Sequence, residues 1–150
     1  VALCYEGLPW FTGAAVMSQA FPSLKIVLIA ALYAIGAHGI MTLNDFKALK
    51  GDKQTGINSL PVQFGPNKAA KIACWVMTIP QLLVVILMLN WGAFNHALIT
   101  GFLVIGQFFA MQKLLKDPQK FAPWYNATGV LMFVLGMMVC AFGLRNFGAI

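Results

Sequence analysis

The sequence predicts an all-α membrane protein, a polytopic bundle of transmembrane helices. Of its 150 residues, 60% are hydrophobic and only 9% charged, against roughly 25% charged in an ordinary soluble domain. Apolar runs at 26–43, 72–89, 97–111 and 127–144 carry no formal charge, and most approach the ~17–25 residues needed to cross hydrocarbon. Charge is confined to the connections. Two of the four acidic residues, Asp45 and Asp52, and three of the ten basic ones, Lys47, Lys50 and Lys53, lie in the stretch 44–61.

Taken in order, the chain predicts spans at about 8–21, 24–43, 70–90, 95–112 and 126–144, with a motif loop at 44–69. The first of these is short, and it follows Tyr5-Glu6-Gly7-Leu8-Pro9-Trp10, which places the Glu6 carboxylate near a membrane face beside a helix-starting proline and an interfacial aromatic. Phe21-Pro22-Ser23 is a turn before the second span. Gly65-Pro66-Asn67 is another turn, Pro80 should kink the following span, and Asn90 to His96 connects it to the next without formal charge. Gly129, Gly136 and Gly143 recur every seven residues in the last span, a seam that lets another helix approach closely. Counting Lys and Arg on alternate sides gives Lys47, Lys50, Lys53, Lys68, Lys71, Lys113, Lys116 and Lys120 against Lys25 and Arg145. That asymmetry puts the motif loop in the cytoplasm. It also accounts for the net charge of +6 without a nucleic-acid partner. Cys4, Cys74 and Cys140 form no C-x-x-C pair, so neither a zinc site nor a disulfide framework is indicated. The chain begins with Val and has no basic leader, and it is read as the C-terminal part of a longer protein.

The chemistry concentrates in the stretch from Asn44 to Pro61. Asp45 and Asp52 are seven residues apart, so on a continuous helix they would point within about 20° of each other. Carboxylates suit a hard divalent cation and ammonium groups suit phosphate oxygens, so the patch suits a cation-bridged diphosphate. His38, seven residues before Asp45, would join the same stripe and is an ionisable group inside a span, a functional candidate by that placement. Gly51 argues against the helix persisting as far as Asp52.

The runs His38-Gly39-Ile40-Met41-Thr42-Leu43-Asn44-Asp45-Phe46-Lys47, Gly51-Asp52-Lys53 and Gly56-Ile57-Asn58-Ser59-Leu60-Pro61-Val62 resemble the second aspartate motif of the UbiA-type membrane prenyltransferases. Within that family the likeness is to the chlorophyll and bacteriochlorophyll synthases, and Tyr5 to Trp10 and Ala122-Pro123-Trp124-Tyr125-Asn126 extend it over essentially the whole chain. The resemblance implies a bundle of nine transmembrane helices, about five of them present here, in a bacterial inner or photosynthetic membrane. It implies Mg²⁺-dependent transfer of a long prenyl group, of geranylgeranyl or phytyl type, from its diphosphate to the propionate carboxylate of a chlorophyllide-type macrocycle. Asp45 and Asp52 would be the catalytic metal ligands, Asn44, Lys47 and Lys53 the diphosphate contacts, and Glu6 and His38 candidate substrate contacts. The family's first motif, Asn-Asp-x-x-x-Asp, is absent and would belong to a missing N-terminal half. The family usually has Glu before the Gly-Asp pair, where this chain has Lys50.

Other readings remain open at this level. In a non-enzymatic pigment-binding subunit, His38 would ligate a macrocycle magnesium. Another UbiA-type aromatic prenyltransferase would use the same motif on a different acceptor. A transporter-like bundle would require polar residues deep in several spans, and few besides His38 are evident.

Overall fold

The computed structural model describes residues 2–145, and among them every regular element is helical. A π-helical turn, Leu3–Gly7, leads into α1 (Leu8–Ser18), followed by α2 (Leu24–Thr55), the short α3 (Leu60–Phe64), α4 (Pro66–Asn90), α5 (Phe94–Leu114) and α6 (Pro118–Arg145). Helices α2, α4, α5 and α6 are long and apolar enough to cross a membrane. With 11 residues, α1 rises about 16 Å and continues directly from the turn Leu3–Gly7.

The motif stretch is mostly not a loop. Helix α2 runs unbroken through Gly51 and stops at Gly56, whose φ of 73° no side-chain-bearing residue adopts cheaply and whose N–H caps the carbonyl of Asp52. A glycine inside a helix costs about 1 kcal/mol relative to alanine, and the flanking Phe46 and Leu49, both buried, offset it. Pro61 is buried as α3 folds back, and α4 begins at Pro66.

Packing is set by small residues. A Cβ on Gly39 of α2 would run into Met77 and the carbonyl oxygen of Ala73 on α4, and one on Gly36 would meet the Phe133 ring of α6. The seam on α6 is buried within this chain. Gly136 faces Tyr33, Thr100 and Gln81, Gly143 faces Met88 and His96, and Gly129 lies under the ring of Tyr125 one turn earlier. The close-packing partners of that helix are thus α2, α4 and α5. Tyr125 is fully buried.

Polar groups deep in the bundle are more numerous than the sequence suggested. Gln81 of α4 and Gln107 of α5 exchange two hydrogen bonds of 2.9 Å, and Gln81 also donates to the Met77 carbonyl at 3.2 Å. Nearby, the Cys140 thiol lies 3.5 Å from the Tyr33 hydroxyl and 3.6 Å from that of Thr100. These groups are buried and satisfy one another, as interhelical polar contacts in membranes do. They fasten the helices to one another.

Candidate functional site

Helix α2 has 32 residues and therefore extends about 48 Å, far more than the ~30 Å hydrocarbon core. Leu24 to Asp45 already rises about 31 Å. With the start of α2 at one membrane face, Asp45 to Thr55 project beyond the other as a helical post. Because the helix is continuous, Asp45 and Asp52 share one stripe, about 10 Å apart along the axis. Their carboxylates repel one another.

Asp45 is half-buried and Asp52 is only 9% exposed. The backbone carbonyl of Asp52 is pinned by the Ile57 N–H at 2.9 Å and the Thr55 hydroxyl at 3.4 Å. Asp52 is in the last turn of the helix, where the partial negative charge of the terminal carbonyls opposes a carboxylate. Among the described residues no lysine is paired with either aspartate.

The lysines are distributed round the post. On the unbroken helix Lys47 lies about 160° from Asp45 and Lys50 about 160° from Asp52, whereas Lys53 is about 100° from Asp52. All three are exposed. Of the expected diphosphate lysines, Lys53 is therefore nearer the carboxylate stripe, and Lys47 leaves the helix on the far side. Lys50 points away too, so its basic character does not oppose a cation held by Asp52.

Asn44 is tied to a residue the sequence reading gave no role. Asn126 of α6 donates from Nδ2 to Asn44 Oδ1 at 2.9 Å, joining α6 to the motif face. The available signal was its place at the end of the Ala122 to Asn126 stretch, which carried the resemblance without naming a function. Close by on α6, Trp124 receives the Lys113 ammonium 3.9 Å from its ring centroid, with Phe121 at 5.4 Å. This clamps the end of α5 to the start of α6.

Glu6 does not join the site. Gly7 abuts Ala34 and Trp10 stacks on Tyr33 at 6.3 Å, so Glu6 is level with a point about a third of the way along α2. Asp45 is eleven residues, about 16 Å, further along α2 than Ala34. In this packing the first segment runs alongside the N-terminal half of α2, and Glu6 lies deeper along the bundle than Asp45. Glu6 instead lines an apolar hollow of about 410 Å³ with Trp10, Met17, Ile26, Met137 and Met138. His38 is exposed and stays on the carboxylate stripe, about 10 Å deeper than Asp45. A second apolar hollow, about 490 Å³ between α4 and α5, is lined by Lys71, Trp75, Phe108 and Phe109. It too contains neither aspartate.

The UbiA prenyltransferase family matches residues 1–135. The chain belongs to that family. Among curated relatives of this UbiA chain, the bacteriochlorophyll synthase 33 kDa chain of Cereibacter sphaeroides is 62% identical over 97% of this chain and 48% of its own length. The protein of the same name from Rhodobacter capsulatus is 53% identical over 98% of this chain and 49% of its own. The chloroplastic chlorophyll synthase of Avena sativa is 39% identical over 91% and 36%. The chain thus spans about half the length of the first two, and no solved structure matches it significantly.

For a UbiA-type diphosphate site the donor set can be judged on its chemistry. Aspartate oxygens are hard ligands suited to Mg²⁺, which is commonly bound by one or two carboxylates with water and phosphate completing its shell. Asp45 and Asp52 each offer one such carboxylate, and because about 10 Å of helix separates them each would serve a different ion. Among the described residues no group of three His, Cys, Asp or Glu side chains gathers, so the remaining ligands must be solvent, substrate or other parts of the polypeptide.

Proposed function

We propose that this chain forms one half of the catalytic centre of a Mg²⁺-dependent membrane prenyltransferase. The enzyme would transfer a long prenyl group, of geranylgeranyl or phytyl type, from its diphosphate to the propionate carboxylate of a chlorophyllide or bacteriochlorophyllide. The observation that carries the reading is the Asp45–Asp52 stripe, two unpaired and mutually repelling carboxylates held on a rigid helical post at the membrane surface. The names of the relatives, bacteriochlorophyll synthase and chlorophyll synthase, supply the substrates.

In this reading Asp45 and Asp52 would each offer a carboxylate to its own cation, since about 10 Å of helix separates them, and bound Mg²⁺ would stabilise the charge that gathers on departing diphosphate. Lys53 and the Asn44 amide donate to phosphate oxygens, with Lys47 reaching round the helix. The propionate oxygen forms a bond to C1 of the prenyl group while the C1–O bond to diphosphate breaks, and the diphosphate leaves with the electron pair. Propionate is already ionised near neutral pH, so the chain needs no strong general base. Apolar helices exclude water, which would otherwise capture the allylic cation. His38, deeper on the stripe, is positioned to meet a substrate below the diphosphate. The first acidic cluster would come from sequence outside these residues, and the eight-to-two lysine and arginine asymmetry supports a cytoplasmic site.

The test is ester formation by the full-length polypeptide in lipid nanodiscs with geranylgeranyl diphosphate and the two macrocycles. Product is expected with Mg²⁺ and none with chelator, and Asp45→Asn and Asp52→Asn should each be severely impaired. Undiminished turnover by both variants would overturn the assignment.

A further inference from the structure

The bond between Asn126 and Asn44 has a direction, and the direction decides what Asn44 can recognise. Asn126 donates from Nδ2 and Asn44 accepts through Oδ1. An asparagine side chain has one acceptor oxygen and one doubly donating nitrogen. With its oxygen engaged by α6, exposed Asn44 turns its two N–H donors outward beside Asp45. Those donors match an anion and repel a cation.

The polarity has a structural cause. The Oδ1 of Asn126 is buried with no hydrogen-bond partner among the described residues. Turning that amide over would instead bury the NH₂ group, leaving two unpaired donors in place of one unpaired acceptor, and each unpaired buried group carries a desolvation penalty. Asn126 is therefore held with its donor toward α2.

We propose that Asn126 is a positioning residue that fixes the Asn44 amide with its donors facing the substrate, making Asn44 a contact for diphosphate oxygen and not a metal ligand. This rests on the diphosphate reading above and names a residue of α6 that acts through α2. Because Asn44 already accepts a bond, its own N–H groups are polarised toward stronger donation. The pair also couples the start of α6 to the motif, so the anion contact depends on how the two helices sit together.

The experiment is a binding cycle on the full-length protein in nanodiscs, with Mg²⁺ and inorganic diphosphate as the probe, followed by calorimetry. Asn44→Ala, at an exposed position, should weaken diphosphate binding about 10-fold or more, as expected for a hydrogen bond to a charged group. Asn126→Leu should weaken it several-fold in the parent but have no further effect in the Asn44→Ala background. Asn126→Asp can only accept, so it forces Asn44 to turn its oxygen outward. The loss should exceed that of Asn126→Leu and persist at high ionic strength, where a simple charge effect is screened. In turnover, KM for the prenyl diphosphate should rise while KM for the macrocycle and the thermal midpoint stay unchanged.

Additive effects of the Asn44 and Asn126 substitutions, or normal diphosphate binding by Asn126→Leu, would overturn the proposal. Asp52→Asn separates the two levels. If it binds diphosphate normally in Mg²⁺, the site reading itself fails. If it loses binding while both asparagine variants keep it, only the relay fails.

Discussion

Asp52 is only 9% exposed and lies in the last turn of α2, where the terminal carbonyls disfavour a carboxylate. Such a group is expected to trade stability for function. Without divalent cation, Asp52→Asn should therefore stabilise the fold, by about 0.3–1 kcal/mol from the dipole effect alone. Parent protein should gain thermal stability on adding Mg²⁺ and the variant should not, as measured by melting in detergent with and without chelator. Turnover of Asp52→Asn should fall about 10²–10³-fold, the usual loss for a transition-state electrostatic contact. Lys50→Glu is the contrast. It restores the sign the family usually has there, but the side chain is exposed and directed away from Asp52, so stability should change by no more than about 0.5 kcal/mol. A Mg²⁺ titration of its turnover should lie close to that of the parent, and inactivation would mean that Lys50 reaches the phosphate.

Helix α2 carries two glycines with opposite roles. A Cβ at Gly51 meets nothing within 4 Å, so Gly51→Ala should stiffen the post and stabilise it by about 0.5–1 kcal/mol. At Gly39 the same change collides with α4 backbone and Met77, and overpacking of this kind costs about 1–3 kcal/mol. Urea or SDS unfolding of the two variants should shift in opposite directions. Between α4 and α5, Gln107→Leu leaves Gln81 without its main partner and should cost about 1–2 kcal/mol. The Gln81→Leu, Gln107→Leu double variant removes both polar groups and should recover much of that loss. If the double variant is the worse of the two, the amide pair has a role beyond fastening the helices.

The four long helices alternate in direction, so Gln54, near the end of α2, and Asn95, at the start of α5, belong to opposite membrane faces. Both are exposed. Single cysteines at these positions, in a background without Cys4, Cys74 and Cys140, should be labelled from opposite sides of sealed membranes, with Gln54 on the cytoplasmic side. Labelling of both from one side would break the topology. The same through-going arrangement sets the scale of the site. It holds the motif of α2 and Asn126 of α6 together at one end of the bundle, with Glu6 and its methionine-lined hollow deeper in the bundle.

The sequence by itself determined that this is an all-helical membrane bundle, because the near absence of charge from long segments leaves few other folds in which every backbone polar group is satisfied. It also determined the family and the acidic motif, since Asn44-Asp45-Phe46-Lys47, Gly51-Asp52-Lys53 and Ser59-Leu60-Pro61-Val62 are local patterns legible without knowing what they touch. Tertiary structure decided the rest. Local propensity at Gly51 argued for a break, and the burial of Phe46 and Leu49 overrode it, which put Asp45 and Asp52 on one stripe and Lys47 behind it. The level of Glu6 followed from Gly7 and Trp10 packing on α2, a contact between segments whose periodicity fixes which face is apolar but not how far one helix slides along another. Gln81, Gln107 and Asn126 were visible as letters and silent as partners. A hydrogen bond between residues 26 or 82 positions apart exists only once the helices carrying them are brought side by side.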